Sequence, residues 1–156
     1  MLQKNNIPLE NVIVHAPYII NLANTIDLEK NKWSVEFLKQ EIDRVASIGA
    51  KILVLHPGSH VKAGEEVGIA QIIKGLNEAT QQDKGVRIAL ETMCGKGSEL
   101  GYTFEQLSQI MKGVDHPELF GVCLDTCHIH DGGYDLSDFE SILNDFDTLI
   151  GLNNLL

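Results

Sequence analysis

The sequence is poor in cysteine and in long apolar runs. Its three cysteines are an odd number in 156 residues, which fits a reducing compartment. No apolar run approaches the roughly 20 residues that span a bilayer, and the first residues lack the apolar stretch of a secretory signal peptide. These absences predict a cytoplasmic protein with no membrane partner.

Basic residues are also scarce. Lysine and arginine number 12 against 22 acidic residues, which gives a net charge of −10. Nucleic-acid-binding proteins normally carry a basic surface, so this balance argues against DNA as a partner. Bound divalent metal ions would add positive charge where a phosphate approaches, and net charge does not locate the lysines. The acidic balance is therefore only a modest argument against nucleic acid.

The chain has no internal linker and no low-complexity segment. Hydrophobic residues make up 44% of it and charged residues 22%, as in globular proteins. A chain of this length can bury a sizeable core. The composition predicts one domain over residues 1–156.

Strand and helix patterns alternate four times along the chain. Each short apolar run is followed by a helical pattern, and the predicted helices cover residues 34–48, 65–82 and 103–113 and a stretch from residue 137. Ser34, Thr103 and Ser137 are the predicted N-caps. Such alternation predicts an α/β protein with a parallel sheet. An open doubly wound sheet and a (β/α) barrel both fit, and four βα units would be about half of a barrel of roughly 250 residues.

Ligand-type side chains follow every predicted strand. They are His15, His56, Glu91 and Asp125, with His128 three positions later. Active sites of parallel α/β folds are assembled at the carboxyl ends of the strands. Imidazole and carboxylate together suit Zn²⁺, followed by Mn²⁺ or Fe²⁺, and a carboxylate such as Glu91 can bridge two ions in sites that hydrolyse phosphoesters. The residues alone predict a metal-dependent hydrolase or isomerase, and they leave its substrate open.

Other candidates carry weaker signals. His60 and His130 lie near the predicted site but off the strand ends, and a loop position is the better interpretation. Cys123 and Cys127 lack zinc-ribbon spacing and are interpreted as small buried hydrophobic residues. Tyr18 is either a core aromatic or a stacking platform at the rim of the site.

Four segments in order resemble the endonuclease IV family of DNA-repair enzymes (AP endonuclease family 2). They are HAPYIINL at residues 15–22, LHPGSH at 55–60, ALETMCGKGSELG at 89–101 and GVCLDTCH at 121–128. The resemblance covers nearly the whole chain. It implies a TIM-type (β/α)8 barrel with a trinuclear zinc site. The implied activity is that of a base excision repair endonuclease, which hydrolyses the phosphodiester 5′ to abasic sites in double-stranded DNA.

The resemblance also assigns roles to residues. It implies that His15, His56 and Glu91 hold one zinc ion, and that Glu91 bridges to a second ion that Asp125 also binds. His128 would belong to a third ion. Glu91, as the bridging carboxylate, is the predicted catalytic residue.

The resemblance further matches Tyr18 to the family's DNA-penetrating tyrosine, whereas His130 stands where the family more often has an aromatic residue. Family members continue through further strands that supply the remaining zinc ligands. We therefore expect a partial barrel of roughly four βα units, either a fragment of a longer protein or a truncated product, with open sheet edges that favour self-association. A xylose-isomerase-like sugar isomerase or epimerase and a non-catalytic remnant are the alternatives.

Overall fold

Strands and helices alternate in the computed structural model, which describes residues 2–156. The strands are β1 (Ile13–His15), β2 (Ile52–Leu55), β3 (Gly58–Ser59), β4 (Arg87–Glu91), β5 (Glu99–Leu100) and β6 (Phe120–Cys123). The helices are α1 (Leu28–Ile48), α2 (Glu65–Ala79), α3 (Phe104–Gly113), α4 (Thr126–Asp131) and α5 (Phe139–Leu149). Within residues 2–156, none of these helices combines the length and the apolar composition that crossing a membrane requires.

The main sheet is parallel and its spatial order is the chain order, β1-β2-β4-β6. A doubly wound sheet reverses its strand order at a switch point, so that alternative is wrong and the barrel-type order is confirmed. The order continues beyond β6, because Leu155 pairs in parallel with Val122. The Leu156 N–H donates to the Val122 carbonyl at 2.9 Å.

The two faces of the sheet differ in character. Successive side chains of a strand point to opposite faces, and one face carries the large side chains that pack with the helices into the hydrophobic core: Leu53, Leu55, Ile88, Leu90, Phe120 and Val122. Neighbouring helices also contact each other in chain order, α1 with α2, α2 with α3, and α3 with α5. The ligand-type side chains therefore belong to the opposite face and to the ends of the strands.

Helix α1 begins six residues before the predicted start. The Asp27 side chain caps it by accepting a hydrogen bond from the Lys30 N–H at 3.0 Å. Ser34 lies within the helix and is buried, so its prediction as the N-cap is wrong. The first turn of α1 was missed because its exposed residues lack an apolar stripe. The helix ends at Gly49 as predicted, with φ of 81°.

The other two predicted caps have different outcomes. Thr103 caps α3 and accepts a hydrogen bond from the Gln106 N–H at 3.3 Å. The cap of α5 is Asp138, which accepts from the Ser141 N–H at 3.1 Å, so the prediction of Ser137 is wrong by one residue. A run of several capping residue types in succession predicts a helix start but does not select its cap.

A second, two-stranded sheet joins the loops that follow β2 and β4. Gly58 pairs with Leu100 and Ser59 with Glu99 in antiparallel register. Strands of two residues show no hydrophobic alternation, which is why the sequence does not predict them. This small sheet fixes the two loops against each other at the carboxyl edge of the main sheet.

Candidate metal centre

Three consecutive strands of the main sheet bring His15, His56 and Glu91 together. The Nε2 atoms of both histidines face the same oxygen, Glu91 Oε2, at 2.8 Å from His15 and 3.0 Å from His56. The imidazole rings meet edge to face with centroids 5.1 Å apart. Glu91 is only 5% exposed, so a buried carboxylate lies between two imidazoles.

The orientation of His15 favours a cation at this point. Its Nδ1 lies 2.7 Å from the Ala16 carbonyl oxygen, and a carbonyl can only accept, so Nδ1 carries a proton. In the neutral ring, Nε2 then presents a lone pair to the Glu91 carboxylate. Two electron-pair donors at this distance require a shared proton or a metal ion between them. Histidines that bind metal ions commonly donate their other ring N–H to a backbone carbonyl in this way.

Glu91 is held as a carboxylate despite its burial. Burial raises the pKa of Glu91, whereas the hydrogen bonds from His56 and His15 lower it, and the net pKa lies below the ordinary value of 4.5. The charged form is the one that a metal ion binds. The folded metal-free chain therefore already holds Glu91 in the charged form that can bind a metal ion.

A second group shares the same carboxylate. Ligand atoms of Glu91, Asp125 and His128 all lie within 4.8 Å of one another. The Nδ1 of His128 is 3.5 Å from Glu91 Oε1 and 3.9 Å from Asp125 Oδ2. Because Glu91 offers Oε2 to the first group and Oε1 to the second, it is the residue common to both.

Asp125 has a structural role as well as a place in this group. Its Oδ1 accepts hydrogen bonds from the N–H groups of Cys127 at 2.8 Å and His128 at 2.9 Å and so caps α4. Its Oδ2 faces His128. Helix α4 has six residues, too few for a periodic pattern, and was not predicted. The cap turns the chain back sharply, which is how two residues three positions apart reach one place.

Thr92 is a site residue that the sequence reasoning missed. It is 1% exposed, and its Oγ1 accepts a hydrogen bond from the Asp125 N–H at 2.9 Å. Its carbonyl oxygen lies 2.8 Å from His128 Nδ1, so this nitrogen carries a proton and Nε2 is the ring atom left for a metal ion. Thr92 thus holds both later members of the site against β4. The signal available in the sequence was its position directly after a strand-end carboxylate.

Tyr18 stands at the rim of the first group. Its ring centroid is 5.1 Å from that of His15 and 5.0 Å from that of His56. The side chain is 77% exposed, so of the two interpretations of Tyr18 the core aromatic is wrong and the rim position is correct. An exposed aromatic ring next to a candidate metal centre can stack on a ligand.

The remaining candidates lie outside both groups. Among residues 2–156, neither His60 nor His130 belongs to the two groups, and His60 Nδ1 instead accepts from the Gly64 N–H at 3.1 Å. Cys127 is exposed, so its prediction as a buried residue is wrong. Cys123 is partly buried, and burial, followed by the charges of Glu91 and Asp125, raises its pKa.

The donor set fits metal binding. Imidazole nitrogen and carboxylate oxygen are ligands of zinc and of other divalent ions with hydrolytic chemistry. Two ligand groups that share one carboxylate can hold two ions side by side, an arrangement that serves phosphoester hydrolysis. Such a centre can polarise a phosphoryl or carbonyl oxygen, so the geometry alone is compatible with hydrolysis and with isomerisation.

Comparisons with known proteins bear on the choice between hydrolysis and isomerisation. A family model described as "Xylose isomerase-like TIM barrel" matches residues 1–154. A Staphylococcus carnosus protein named "Probable endonuclease 4" is 57% identical over 148 residues, which are 94% of this chain and 50% of that protein. The chain thus spans about half the length of the curated relatives it matches.

Solved structures of TIM-barrel proteins also match the chain. The crystal structure of endonuclease IV from Thermus thermophilus matches with a TM-score of 0.75 at 28% identity, over 92% of this chain and 50% of that one. A D-tagatose 3-epimerase-like protein matches with a TM-score of 0.79 over 99% of this chain and 57% of that one, but at 21% identity. The second match shows the shared fold alone.

Proposed function

The chain belongs to the xylose isomerase-like TIM barrel family, and from its 57% identity to a protein named probable endonuclease 4 we propose that it forms the metal-binding part of a DNA-repair endonuclease. The proposed reaction is hydrolysis of the phosphodiester 5′ to an abasic site in double-stranded DNA. The observation that carries the proposal is Glu91, a buried carboxylate shared by two groups of metal-type ligands.

Zinc is the proposed metal. His15, His56 and Glu91 would hold one ion and Glu91 and Asp125 a second, with His128 beside this second group; the resemblance to endonuclease IV would assign His128 to a third ion. When bound, such ions supply Lewis-acid stabilisation of the phosphoryl oxygens and lower the pKa of water. The mixed nitrogen and oxygen donors support zinc over magnesium or calcium, which prefer oxygen ligands.

The protein groups have their own tasks in this proposal. Glu91 faces the Nε2 atoms of both imidazoles as a carboxylate and so places one negative charge between both ligand groups. Tyr18 presents an exposed ring beside these histidines, where it would contact DNA around the lesion. Enzymes that act on single nucleotides take them out of the base stack, and an aromatic ring at the rim can stack on the bases that remain.

The acidic composition bears on how DNA would bind. With a net charge of −10, the chain repels a phosphate backbone at long range. Up to three divalent ions would bring as many as six positive charges to the carboxyl edge of the sheet, where the phosphodiester must approach. DNA affinity is therefore expected to depend on zinc as well as on salt.

An incomplete (β/α)8 barrel over residues 1–156 remains part of the proposal. Among residues 2–156, the β1 strand has a neighbour on one side of the sheet only, and an unpaired edge is a template for association. Self-association of the isolated chain is therefore expected at micromolar concentration. A monodisperse monomer in light scattering, with a cooperative thermal transition, would contradict it. The cytoplasmic location stays a prediction.

A chimera tests the proposed function most sharply. This chain would replace the matched 148 residues of the Staphylococcus carnosus relative, and the purified chimera would be assayed on a duplex with one abasic site and on the same duplex without it. We expect zinc-dependent incision on the 5′ side of the lesion, loss of activity with a chelator, and loss in a chimera with Glu91→Gln. We expect negligible incision by the 156-residue chain alone.

Two outcomes would overturn the proposal. One is a folded chimera that binds zinc and does not incise the abasic duplex. The other is cleavage of both duplexes alike, since that would remove the lesion specificity. The sugar isomerase alternative rests on a shared fold, and isomerisation of a ketose by the chimera in place of incision would favour it.

A further inference from the structure

Asn21 contacts two loops of the candidate metal centre at once. Its Oδ1 accepts hydrogen bonds from the Ala23 N–H at 3.0 Å and from the Ser59 N–H at 2.9 Å. Its Nδ2 donates to the Ser59 carbonyl at 3.0 Å. The side-chain amide therefore satisfies both backbone groups of Ser59, as a neighbouring strand would. This links the loop that follows β1 to the loop that follows β2.

The backbone of Asn21 is anchored in turn. Its N–H donates to Ser34 Oγ at 3.1 Å, and Ser34 is a buried residue of α1. Gly58 makes the close approach possible, because a Cβ at that position would lie 2.5 Å from Asn21 Oδ1. Gly58 also has φ of 126°, in a region that favours glycine. The contact between Asn21 and the loop that follows β2 thus depends on the anchored backbone of Asn21 and on the missing side chain of Gly58.

The connection extends to a third loop. The hydroxyl groups of Ser59 and Ser98 lie 2.5 Å apart, and the His60 N–H donates to the Ser98 carbonyl at 2.9 Å. Ser98 belongs to the loop that follows β4, the strand that ends at Glu91. Asn21, Ser59 and Ser98 together form a hydrogen-bonded clamp, which we call the loop clamp, across the loops behind all three residues of the first ligand group.

Two functional side chains are close to the loop clamp in sequence. His56 lies three residues before Ser59, and Tyr18 lies three residues before Asn21. Their rings are in contact at 5.0 Å, although Tyr18 is largely exposed and cannot be held by burial. We infer that Asn21 is a positioning residue, which sets His56 toward Glu91 and holds Tyr18 against the His56 ring. The inference rests on the proposed zinc site.

The same loop provides a matched control. Asn24 is also an asparagine, it is buried, and its Oδ1 also accepts two backbone hydrogen bonds, from Ile26 at 3.0 Å and Asp27 at 2.9 Å. Both partners lie in its own loop. Asn24→Ala therefore removes two hydrogen bonds from the loop, against three in Asn21→Ala, without breaking the link to Ser59.

The test measures zinc affinity by competition with a chromophoric chelator, well below the melting temperature of each variant. Asn21→Ala is expected to weaken binding at the first ligand group 10- to 100-fold, the usual effect of removing a residue that orients a ligand. Asn24→Ala should stay within threefold of the unsubstituted chain at a similar loss of thermal stability. Asn21→Ser keeps a polar group for the local turn but is too short to reach Ser59, and it should behave like Asn21→Ala.

The outcomes distinguish the role of Asn21 from the existence of the proposed metal site. Equal zinc affinity of Asn21→Ala and the unsubstituted chain would overturn the role of Asn21, and so would equal weakening by Asn21→Ala and Asn24→Ala. Failure of the unsubstituted chain to bind zinc, or unchanged binding in His56→Ala, would instead overturn the proposed metal site. If Asn21→Ala does not fold, the comparison of Asn21→Ser with Asn24→Ala decides.

Discussion

Replacement of Glu91 by glutamine tests whether one carboxylate serves both ligand groups. Glutamine has the same shape, so packing around this buried position is kept and the charge is removed. Oε2 faces the imidazoles of His15 and His56, and Oε1 faces His128. A shared ligand predicts that one substitution weakens both groups. His15→Ala should weaken the first group alone, and Asp125→Asn the second alone.

The size of the effect follows from the position of Glu91. Removing residues that merely orient a metal ligand costs 10- to 100-fold in affinity, so loss of the ligand charge itself should exceed about 100-fold. At about 1.4 kcal/mol per tenfold change this is roughly 3 kcal/mol or more for each group. The metal-free chain should change much less, by about 1 kcal/mol, because the lost charge-assisted hydrogen bonds are partly offset by the relief of burying a charge.

The pH dependence of the metal-free chain has a definite sign. The pKa of Glu91 is lowered from its ordinary value of 4.5 in the fold. Its contribution to stability is therefore present above that value and is lost as the pH falls through the lower folded pKa. The difference in unfolding free energy between the unsubstituted chain and E91Q, measured in urea with a chelator, should shrink below about pH 4.5.

Equilibrium dialysis at fixed free zinc, followed by metal analysis, measures the stoichiometry. We expect the ions of both Glu91-containing groups to be lost in E91Q, and one of these two ions in each of the His15→Ala and Asp125→Asn variants. A shared ligand is refuted if E91Q keeps the ion of either group with unchanged affinity, because that group would then not depend on Glu91. It is also refuted if His15→Ala releases every bound ion.

Three further substitutions test residues that surround the candidate metal centre. Gly58→Ala should lower the free energy of unfolding by roughly 2–4 kcal/mol in urea, because it combines a φ that favours glycine with a Cβ 2.5 Å from Asn21 Oδ1. Thr92→Val keeps the shape but leaves the Asp125 N–H without its 2.9 Å partner, so it should cost about 1–3 kcal/mol in the same assay. Tyr18→Ala removes a largely exposed ring, so stability should stay within about 0.5 kcal/mol while affinity for an abasic duplex, measured by fluorescence anisotropy, falls.

For each of these three substitutions, one result would contradict the prediction. A Gly58→Ala chain as stable as the unsubstituted one would show that the loop around Asn21 can shift without cost. Unchanged stability in Thr92→Val would mean that water replaces the hydroxyl group. For Tyr18→Ala, equal loss of affinity for damaged and undamaged duplexes would remove its role at the lesion.

The core of the fold and the main site residues were predictable from the sequence. His15, Glu91 and Asp125 mark points where an apolar run stops at a ligand-type residue, and parallel strands bring such points to one edge. The structure places these residues together with His56 and His128 in two groups. Their proximity was predictable because a single physical rule, the common direction of the strands, brings all of them to one edge.

Contacts between loops were not predictable in the same way. Thr92 and Asn21 act through hydrogen bonds to backbone groups distant in the chain, and no periodic pattern records such partners. Helix α4 was not predictable for a related reason, since the sequence marks Asp125 as a ligand and does not show its second use as an N-cap. Short polar residues can serve as caps, turn formers or site residues, and only the fold decides among these uses.

The identical order of the strands in space and in the chain has a consequence for synthesis on the ribosome. Each strand of the main sheet pairs with the one made just before it, so the sheet can grow at one edge while translation proceeds. The ligand groups would mature in the same sequence. The group of His15, His56 and Glu91 is complete once β4 has docked, whereas Asp125 and His128 follow β6. Nascent chains could therefore capture a first ion before the polypeptide that holds the second has been made.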